Sequence, residues 1–221
     1  MSKELKKRVL TSILLLLIAI LCIVINKIIF ISAIFIIFAI CFYEWNKINT
    51  PYFFVKKKKE GFFLIQLIGL SYLFTFLASS IYIYYSIGII FFIYVLLVCV
   101  CSDIGGYIFG KAIGGKKLTK ISPNKTISGS VGSFIFSIIP LLLFNFKNYQ
   151  DINLSLKHIL FCLVISLSCQ LGDLIISYFK RLNKVKDTGN ILPGHGGFLD
   201  RVDGIIFAIP VACILKVAQI F

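Results

Sequence analysis

Charged residues are scarce in this chain, and acidic residues are the scarcest. Only 14% of the 221 residues are charged, whereas about 25% is usual in a soluble domain. Apolar residues make up 59% of the chain, and its mean hydropathy is +0.97. Apolar runs near the ~20 residues that cross a bilayer recur throughout. This composition excludes a soluble enzyme, a secreted disulfide scaffold and a disordered chain, and it predicts an all-α, polytopic integral membrane helical bundle.

Cysteine patterns typical of zinc or redox sites are missing. None of the seven cysteines forms a CxxC pair or lies beside a histidine at ligand spacing, so we expect small apolar packing residues. A cleaved leader is not expected either. The apolar stretch at 9–25 exceeds the ~7–15 residues of a signal-peptide core, and no small-x-small site follows it.

Seven spans are predicted, at residues 9–26, 28–43, 61–79, 85–102, 128–146, 158–179 and 204–221. With a cytoplasmic N-terminus, 19 of the 23 basic residues fall on the cytoplasmic side, as the positive-inside rule requires. Topology therefore explains the net charge of +14, and no nucleic-acid partner is expected. Residues 1–80 are interpreted as a lipid-facing scaffold, in which Glu44 and Trp45 mark a helix end at the headgroup level. Residues 81–221 form the predicted catalytic region, with cytoplasmic loops 103–127 and 180–203.

The first polar cluster begins at Asp103, which is predicted to close the fourth span. An ionisable residue there is costly and so points to function. Five glycines at 105–115 allow close approach, either between helices or to a phosphate. Residues 122–126, Ser-Pro-Asn-Lys-Thr, are predicted to lead into a helix and to converge on an anion. The alternative is a basic inner loop with a small-residue packing motif.

The second cluster places four polar side chains on one face of the sixth span, at i, i+4, i+7 and i+8: Asp173, Ser177, Lys180 and Arg181. Asp173 should have a cation, a metal or a water-filled cavity as its partner, because an isolated carboxylate inside the membrane boundary is expensive. Asp200 and Asp203 start the last span. Three carboxylates without a Cys or His cluster favour a hard cation such as Mg²⁺, and the nearby cations favour a polyphosphate. Ion pairs that tie helix ends together are the structural alternative.

The segment from Ser177 to Asp203 resembles the motif of the phosphatidate cytidylyltransferases, also called CDP-diacylglycerol synthases. The matching letters are SYFKR, then KD, then LPGHGGFLDRVD. QLGD at 170–173 and elements within 103–126 are similar as well, so the resemblance covers about 103–204. The chain departs from the family where Ile127-Ser128 replaces Trp-Glu and where Lys111 replaces a frequent Arg.

The resemblance implies that the cytidylyl group of CTP is transferred to phosphatidate, with release of pyrophosphate, at the cytoplasmic face of a bacterial-type inner membrane. It implies Mg²⁺ as cofactor, held by Asp173 and Asp200, with Asp203 as a weaker third ligand. The implied phosphate-clamping residues are Lys180, Arg181, Lys186 and Arg201. His195 is a further catalytic candidate, which either orients a phosphate or caps the turn. The implied substrate-binding residues are Asp103, Ser122, Lys125, Thr126 and Ser177.

Three points stay open at this stage. A CTP-dependent polyprenol or lipid kinase would use a similar membrane nucleotide site. An ion or phosphate transporter would use intramembrane carboxylates, although it should carry charges near the midplane of both halves. The oligomeric state is undetermined, a homodimer included.

Overall fold

Helices dominate the structure, which is a computed structural model. It describes residues 17–56, 59–119, 121–146, 152–192 and 196–220. The side chains of residues 50–62 are not described. A helical segment at 17–24 comes first. The following helices are α1 (Lys27–Lys56), α2 (Lys59–Tyr82), α3 (Ile89–Ala112), α4 (Ile127–Ser137), α5 (Ile139–Phe146), α6 (Leu156–Leu182) and α7 (Leu199–Val217). Over these ranges no β-strand occurs, which confirms the all-α class.

Five segments are long and apolar enough to cross a membrane: Lys27–Asn49, Phe63–Ile87, Ile89–Ala112, Ile127–Phe146 and Leu156–Leu182. Large apolar side chains such as Ile36, Phe74 and Leu143 are exposed on their surfaces, as expected where lipid is the solvent. The chain is therefore a helical membrane protein. Residues 9–16 of the first predicted span lie outside the described residues. The last predicted span, 204–221, falls largely in α7, a helix that carries four charged residues. The count of seven stays a prediction.

Helix α3 runs past the predicted end of its span. It continues to Ala112, so Asp103 lies inside the helix and the prediction that it closes the span is wrong. The reason is packing against α4: a Cβ on Gly105 would collide with the carbonyl of Gly132, and one on Gly106 would lie 2.6 Å from Ser133 Oγ. This close backbone contact stabilises α3 at these glycines, although glycine has a low intrinsic helix propensity. The loop after α3 covers 113–126 rather than 103–127.

Proline divides the span predicted at 128–146 into two helices. Pro140 lacks an N–H, and its ring would clash with the carbonyl of Phe136, which is four residues earlier. The chain tightens at this point, where the Ile138 N–H donates to the Ile135 carbonyl at 3.4 Å. Helices α4 and α5 thus meet at Ile138.

Glu44 and Trp45 lie inside α1 and are both buried. The Trp45 Nε1–H donates to the Ile65 carbonyl at 3.3 Å. The Trp45 ring also meets Phe179 edge-on, with 4.7 Å between centroids. The prediction of a helix end at Glu44 and Trp45 is wrong, because α1 continues to Lys56 and both residues are packed against other parts of the chain.

The chain divides into two compact units. Unit 1 holds the described residues up to Ile81 together with Phe179–Val202, and Phe30, Leu73 and Phe76 belong to its buried core. Unit 2 holds Tyr82–Tyr178 and Asp203–Phe221, and Tyr94, Phe161 and Ile206 belong to its buried core. Each unit carries part of the predicted site. The division at residue 80 into a scaffold and a catalytic region stays a prediction.

Candidate functional site

An ion pair joins a loop to a helix in unit 2. Lys125 precedes α4, and its Nζ lies 2.5 Å from Oδ2 of Asp173 on α6. The Ser177 hydroxyl, one turn further along α6, donates to Asp173 Oδ1 at 3.2 Å. Asp173 therefore has the cation partner that its place inside the membrane boundary predicts. The two side chains are 26% and 36% exposed, so the pair is only partly buried.

A second carboxylate lies close to this pair. Asp103 on α3 interacts electrostatically with both Asp173 and Lys125. The Cys169 Sγ–H also donates to Asp103 Oδ1 at 3.7 Å. Asp103 thus lies within electrostatic range of the Lys125–Asp173 ion pair, and the lysine charge offsets part of the repulsion between the two carboxylates. The group offers hard oxygen donors together with a cation that can exchange, and oxygen donors are the ligands that Mg²⁺ prefers.

Polar contacts beside Asp103 and Asp173 fix three helices of unit 2 to one another. The hydroxyls of Ser102 on α3 and Ser166 on α6 are 2.7 Å apart. Gln170 donates from Nε2 to Ser166 Oγ at 3.3 Å. Its Oε1 accepts the Ser130 hydroxyl of α4 at 2.5 Å. This series of hydrogen bonds satisfies polar groups that are costly when left unpaired in a membrane helix.

The loop at 122–126 leads into α4 as predicted. Thr126 is the N-cap, and its Oγ1 accepts the Gly129 N–H at 3.1 Å. Ser122 closes a turn, because its carbonyl accepts the Lys125 N–H at 3.1 Å. The Thr126 hydroxyl is therefore used in capping, and the turn places Lys125 near α6.

Unit 1 contains a more deeply buried ion pair. Lys180 Nζ lies 2.7 Å from Asp200 Oδ1, and the two side chains are 12% and 7% exposed. Asp200 Oδ2 accepts the backbone N–H groups of Thr188 at 2.8 Å and Gly197 at 3.3 Å. Both oxygens of Asp200 are thus bonded within the chain. This arrangement is the one that the ion-pair alternative predicts.

The other predicted cations of unit 1 face outward. Arg181, Lys186 and Arg201 are all exposed, so an anionic ligand can reach them. His195 lies outside the described residues. The ends of its loop are joined by the Leu192 N–H, which donates to the Gly196 carbonyl at 3.0 Å.

The predicted metal ligands fall in different units, Asp200 in unit 1 and Asp173 and Asp203 in unit 2. Within the described ranges, no group of three or more His, Cys, Asp or Glu side chains is placed to hold a metal ion. Asp203, in unit 2, is buried, and its Oδ1 accepts the Gly204 N–H at 2.8 Å. The assignment of Mg²⁺ to Asp173, Asp200 and Asp203 stays a prediction.

The sequence analysis did not predict that Glu44 and Thr188 contact the segment that carries Asp200. Glu44 accepts the Thr188 hydroxyl at 2.9 Å and the N–H groups of Phe198 at 3.0 Å and Leu199 at 2.8 Å. A sequence signal did exist, because any ionisable residue within an apolar run points to a specific partner. No comparable signal marks Thr188.

Comparison with known proteins relates the chain to one enzyme family. The model of the cytidylyltransferase family matches residues 50–218. The chain is 45% identical over 132 residues to the phosphatidate cytidylyltransferase of Staphylococcus haemolyticus strain JCSC1435, covering 59% of this chain and 50% of the relative. It is 45% identical over 133 residues to that of Staphylococcus aureus strain COL, with the same coverage. The chain thus spans about half the length of the curated relatives it matches.

Proposed function

The chain belongs to the cytidylyltransferase family, and on that premise we propose that it transfers the cytidylyl group of CTP to phosphatidate. A phosphate oxygen of phosphatidate forms a bond to the α-phosphorus of CTP. The bond from that phosphorus to the β-phosphate oxygen breaks, and pyrophosphate leaves. The products are CDP-diacylglycerol and pyrophosphate. The relatives named phosphatidate cytidylyltransferase support this choice of substrates.

One observation carries the proposal: Lys125 is paired with Asp173, which also accepts the Ser177 hydroxyl, in a group that is partly exposed. The reaction joins two anions that repel each other, so the protein must neutralise phosphate charge and hold both in line. Lys125 offers such a charge in unit 2, and Arg181, Lys186 and Arg201 offer exposed charges in unit 1. No protein nucleophile is required, because the phosphatidate phosphate is itself an anion.

We also propose that Mg²⁺ is the cofactor. It supplies positive charge at the phosphate oxygens, on which negative charge increases in the transition state. The oxygen donors around Asp173 fit a hard cation. The Asp173 side chain is 36% exposed and accepts a hydrogen bond from the Ser177 hydroxyl. The Asp103 carboxylate interacts with it electrostatically. Asp173 is therefore the ligand that the geometry supports best. Asp200 and Asp203 remain predicted ligands.

The proposed orientation puts the N-terminus and the reaction on the cytoplasmic side of a bacterial inner membrane, with seven spans. The uneven distribution of basic residues supports it. A matched pair of cysteine variants, in a chain whose native cysteines are replaced, tests it: Lys116→Cys in the loop before α4 and Asn153→Cys before α6, both at exposed positions. A membrane-impermeant maleimide should label only Asn153→Cys in intact cells and only Lys116→Cys in inverted vesicles. The reverse pattern would refute the orientation.

Purified protein in detergent tests the reaction itself. With α-labelled CTP, phosphatidate and Mg²⁺, label should enter a chloroform-soluble lipid as pyrophosphate is released, and EDTA should abolish both. In a parallel reaction, γ-labelled CTP should leave the lipid unlabelled. Lipid labelled only from γ-labelled CTP would instead identify a lipid kinase. No label in lipid from either nucleotide would contradict both activities.

A further inference from the structure

A buried carboxylate in the apolar first half of the chain supports the segment that carries Asp200 and Arg201. Glu44 lies in the middle of α1 and is 1% exposed. Resting on the cytidylyl transfer proposed above, we propose that Glu44 is a positioning residue for that reaction. It holds Thr188, Phe198 and Leu199 so that the first turn of α7 presents Asp200 and Arg201 correctly. Glu44 precedes the part of the chain that matches the family model.

The bonds of Glu44 secure the beginning of α7. The first N–H groups of a helix have no partner within the helix. Glu44 accepts two N–H groups at this end, from Phe198 at 3.0 Å and Leu199 at 2.8 Å. A carboxylate is the favoured group there, because the N-terminal end of a helix carries partial positive charge. The position of Glu44 on α1 thus sets where α7 begins.

Thr188 connects Glu44 to Asp200. Its hydroxyl donates to Glu44 Oε2 at 2.9 Å, and its N–H donates to Asp200 Oδ2 at 2.8 Å. Gly197 adds a second backbone N–H to the same oxygen of Asp200 at 3.3 Å. A displacement of Glu44 therefore reaches Asp200 through one intervening residue.

The packing around Glu44 leaves little freedom. A Cβ on Gly189 would lie 2.5 Å from Glu44 Oε1, and one on Gly197 would collide with the Thr188 hydroxyl. Only glycine allows the loop backbone to come this close to the carboxylate. Because of this fit, the orientation of Asp200 and Arg201 depends on the shape and hydrogen-bonding capacity of Glu44.

An apolar residue at position 44 would leave the N–H groups of Phe198 and Leu199 and the Thr188 hydroxyl without this acceptor, so the carboxylate has a structural role as well. The identity of the residues that it holds points beyond that role. All three of the bonds given above run from Glu44 to residues 188–199, next to the predicted phosphate-binding cation Arg201. A carboxylate in a membrane helix is energetically costly, and these three hydrogen bonds offset that cost. All three are made to the part of the chain that is expected to contact substrate.

The test uses the Glu44→Gln variant of the full chain, with Trp45→Phe as its control. Glutamine has the same length, but its amide nitrogen is a donor where N–H groups already point inward. We expect kcat/KM for CTP to fall about 10–100-fold, as for losses of residues that orient a ligand. We also expect KM for CTP to rise, because Arg201 is displaced from the phosphates. Trp45→Phe removes the bond to Ile65 but keeps an aromatic ring, so KM should not change.

Two further measurements separate positioning from loss of fold. The double variant with Thr188→Val should lose no more activity than Glu44→Gln alone, because both changes break the same connection. Amide hydrogen exchange of peptides covering 188–199 should be faster in Glu44→Gln than in the unaltered chain and in Trp45→Phe.

The outcomes distinguish this inference from the function on which it depends. An unaltered chain without transfer activity refutes the proposed function, and the role of Glu44 fails with it. An active chain whose Glu44→Gln variant keeps the normal KM, and loses kcat only in proportion to the folded fraction, overturns the positioning role alone. Normal kcat and KM in that variant overturn it as well.

Discussion

Replacing Asp173 by Asn should separate catalysis from stability. Asp173 forms a 2.5 Å ion pair with Lys125, but the two side chains are 26% and 36% exposed. Solvent screens such a pair, so its loss should lower the free energy of unfolding by about 1 kcal/mol. In a chain of this size that corresponds to a fall in Tm of about 2–4 °C. The change also leaves Lys125 close to Asp103, with which it interacts electrostatically.

Turnover should respond much more strongly. If Asp173 holds the cation that stabilises the transferring phosphate, its loss should reduce kcat on the order of 10³-fold. Label transfer from α-labelled CTP gives kcat, and thermal unfolding in detergent followed by circular dichroism gives Tm. Ser168→Ala is the control on the same helix, because it removes one hydroxyl bonded to the Val164 carbonyl. It should retain nearly normal turnover.

Lys125→Met provides the opposite perturbation. Asp103 and Asp173 then lose the cation that offsets part of their repulsion, so the free energy of unfolding should fall by more than for Asp173→Asn, on the order of 1–2 kcal/mol. The double variant should regain part of the stability but none of the activity. Wild-type turnover in Asp173→Asn would refute the assignment of the metal. A Lys125→Met variant as stable as the unaltered chain would refute the interpretation that the lysine charge offsets this repulsion.

Three more substitutions test the supporting contacts. Lys180→Met should lower the free energy of unfolding, measured by chemical denaturation, by about 3 kcal/mol, because it leaves Asp200 buried without its cation. A smaller decrease than that caused by Asp200→Asn would contradict this view. Thr126→Ala should cost about 1 kcal/mol through loss of the α4 N-cap, whereas Thr126→Ser should keep nearly full stability in the same thermal assay. Gly105→Ala should cost about 1–3 kcal/mol, because its Cβ collides with the carbonyl of Gly132, and an unchanged Tm would mean that α3 and α4 are less tightly packed than described.

The sequence predicts helices well and their ends poorly. Length and hydropathy determine where a membrane helix forms, since each backbone group must be satisfied within the segment. The end of α3 depends instead on Gly105 and Gly106 meeting α4, a contact that no pattern within α3 reveals. The break before Pro140 was not predicted, although proline removes one helix hydrogen bond and so gives a signal for it.

The site was only partly predictable for a related reason. The need of Asp173 for a partner follows from the cost of a buried charge, but the choice of Lys125 depends on how the loop before α4 folds. Lys180 and Asp200 were both predicted to be functional, and their pairing shows how completely Asp200 is engaged within the chain. Glu44 was misinterpreted because its hydrogen-bond partners lie more than a hundred residues away in the sequence.

Exposure separates the carboxylates by the task each can perform. A side chain that binds and releases a cation must change partners, and a buried one cannot do so without leaving a charge unpaired. Glu44 is 1% exposed and the Asp200 side chain 7%, and both are held by backbone N–H groups, whereas the Asp173 side chain is 36% exposed and is held by a lysine and a hydroxyl. We therefore expect Asp173 to exchange Lys125 for Mg²⁺. Glu44 should keep its partners throughout the reaction, because its bonds also hold the start of α7.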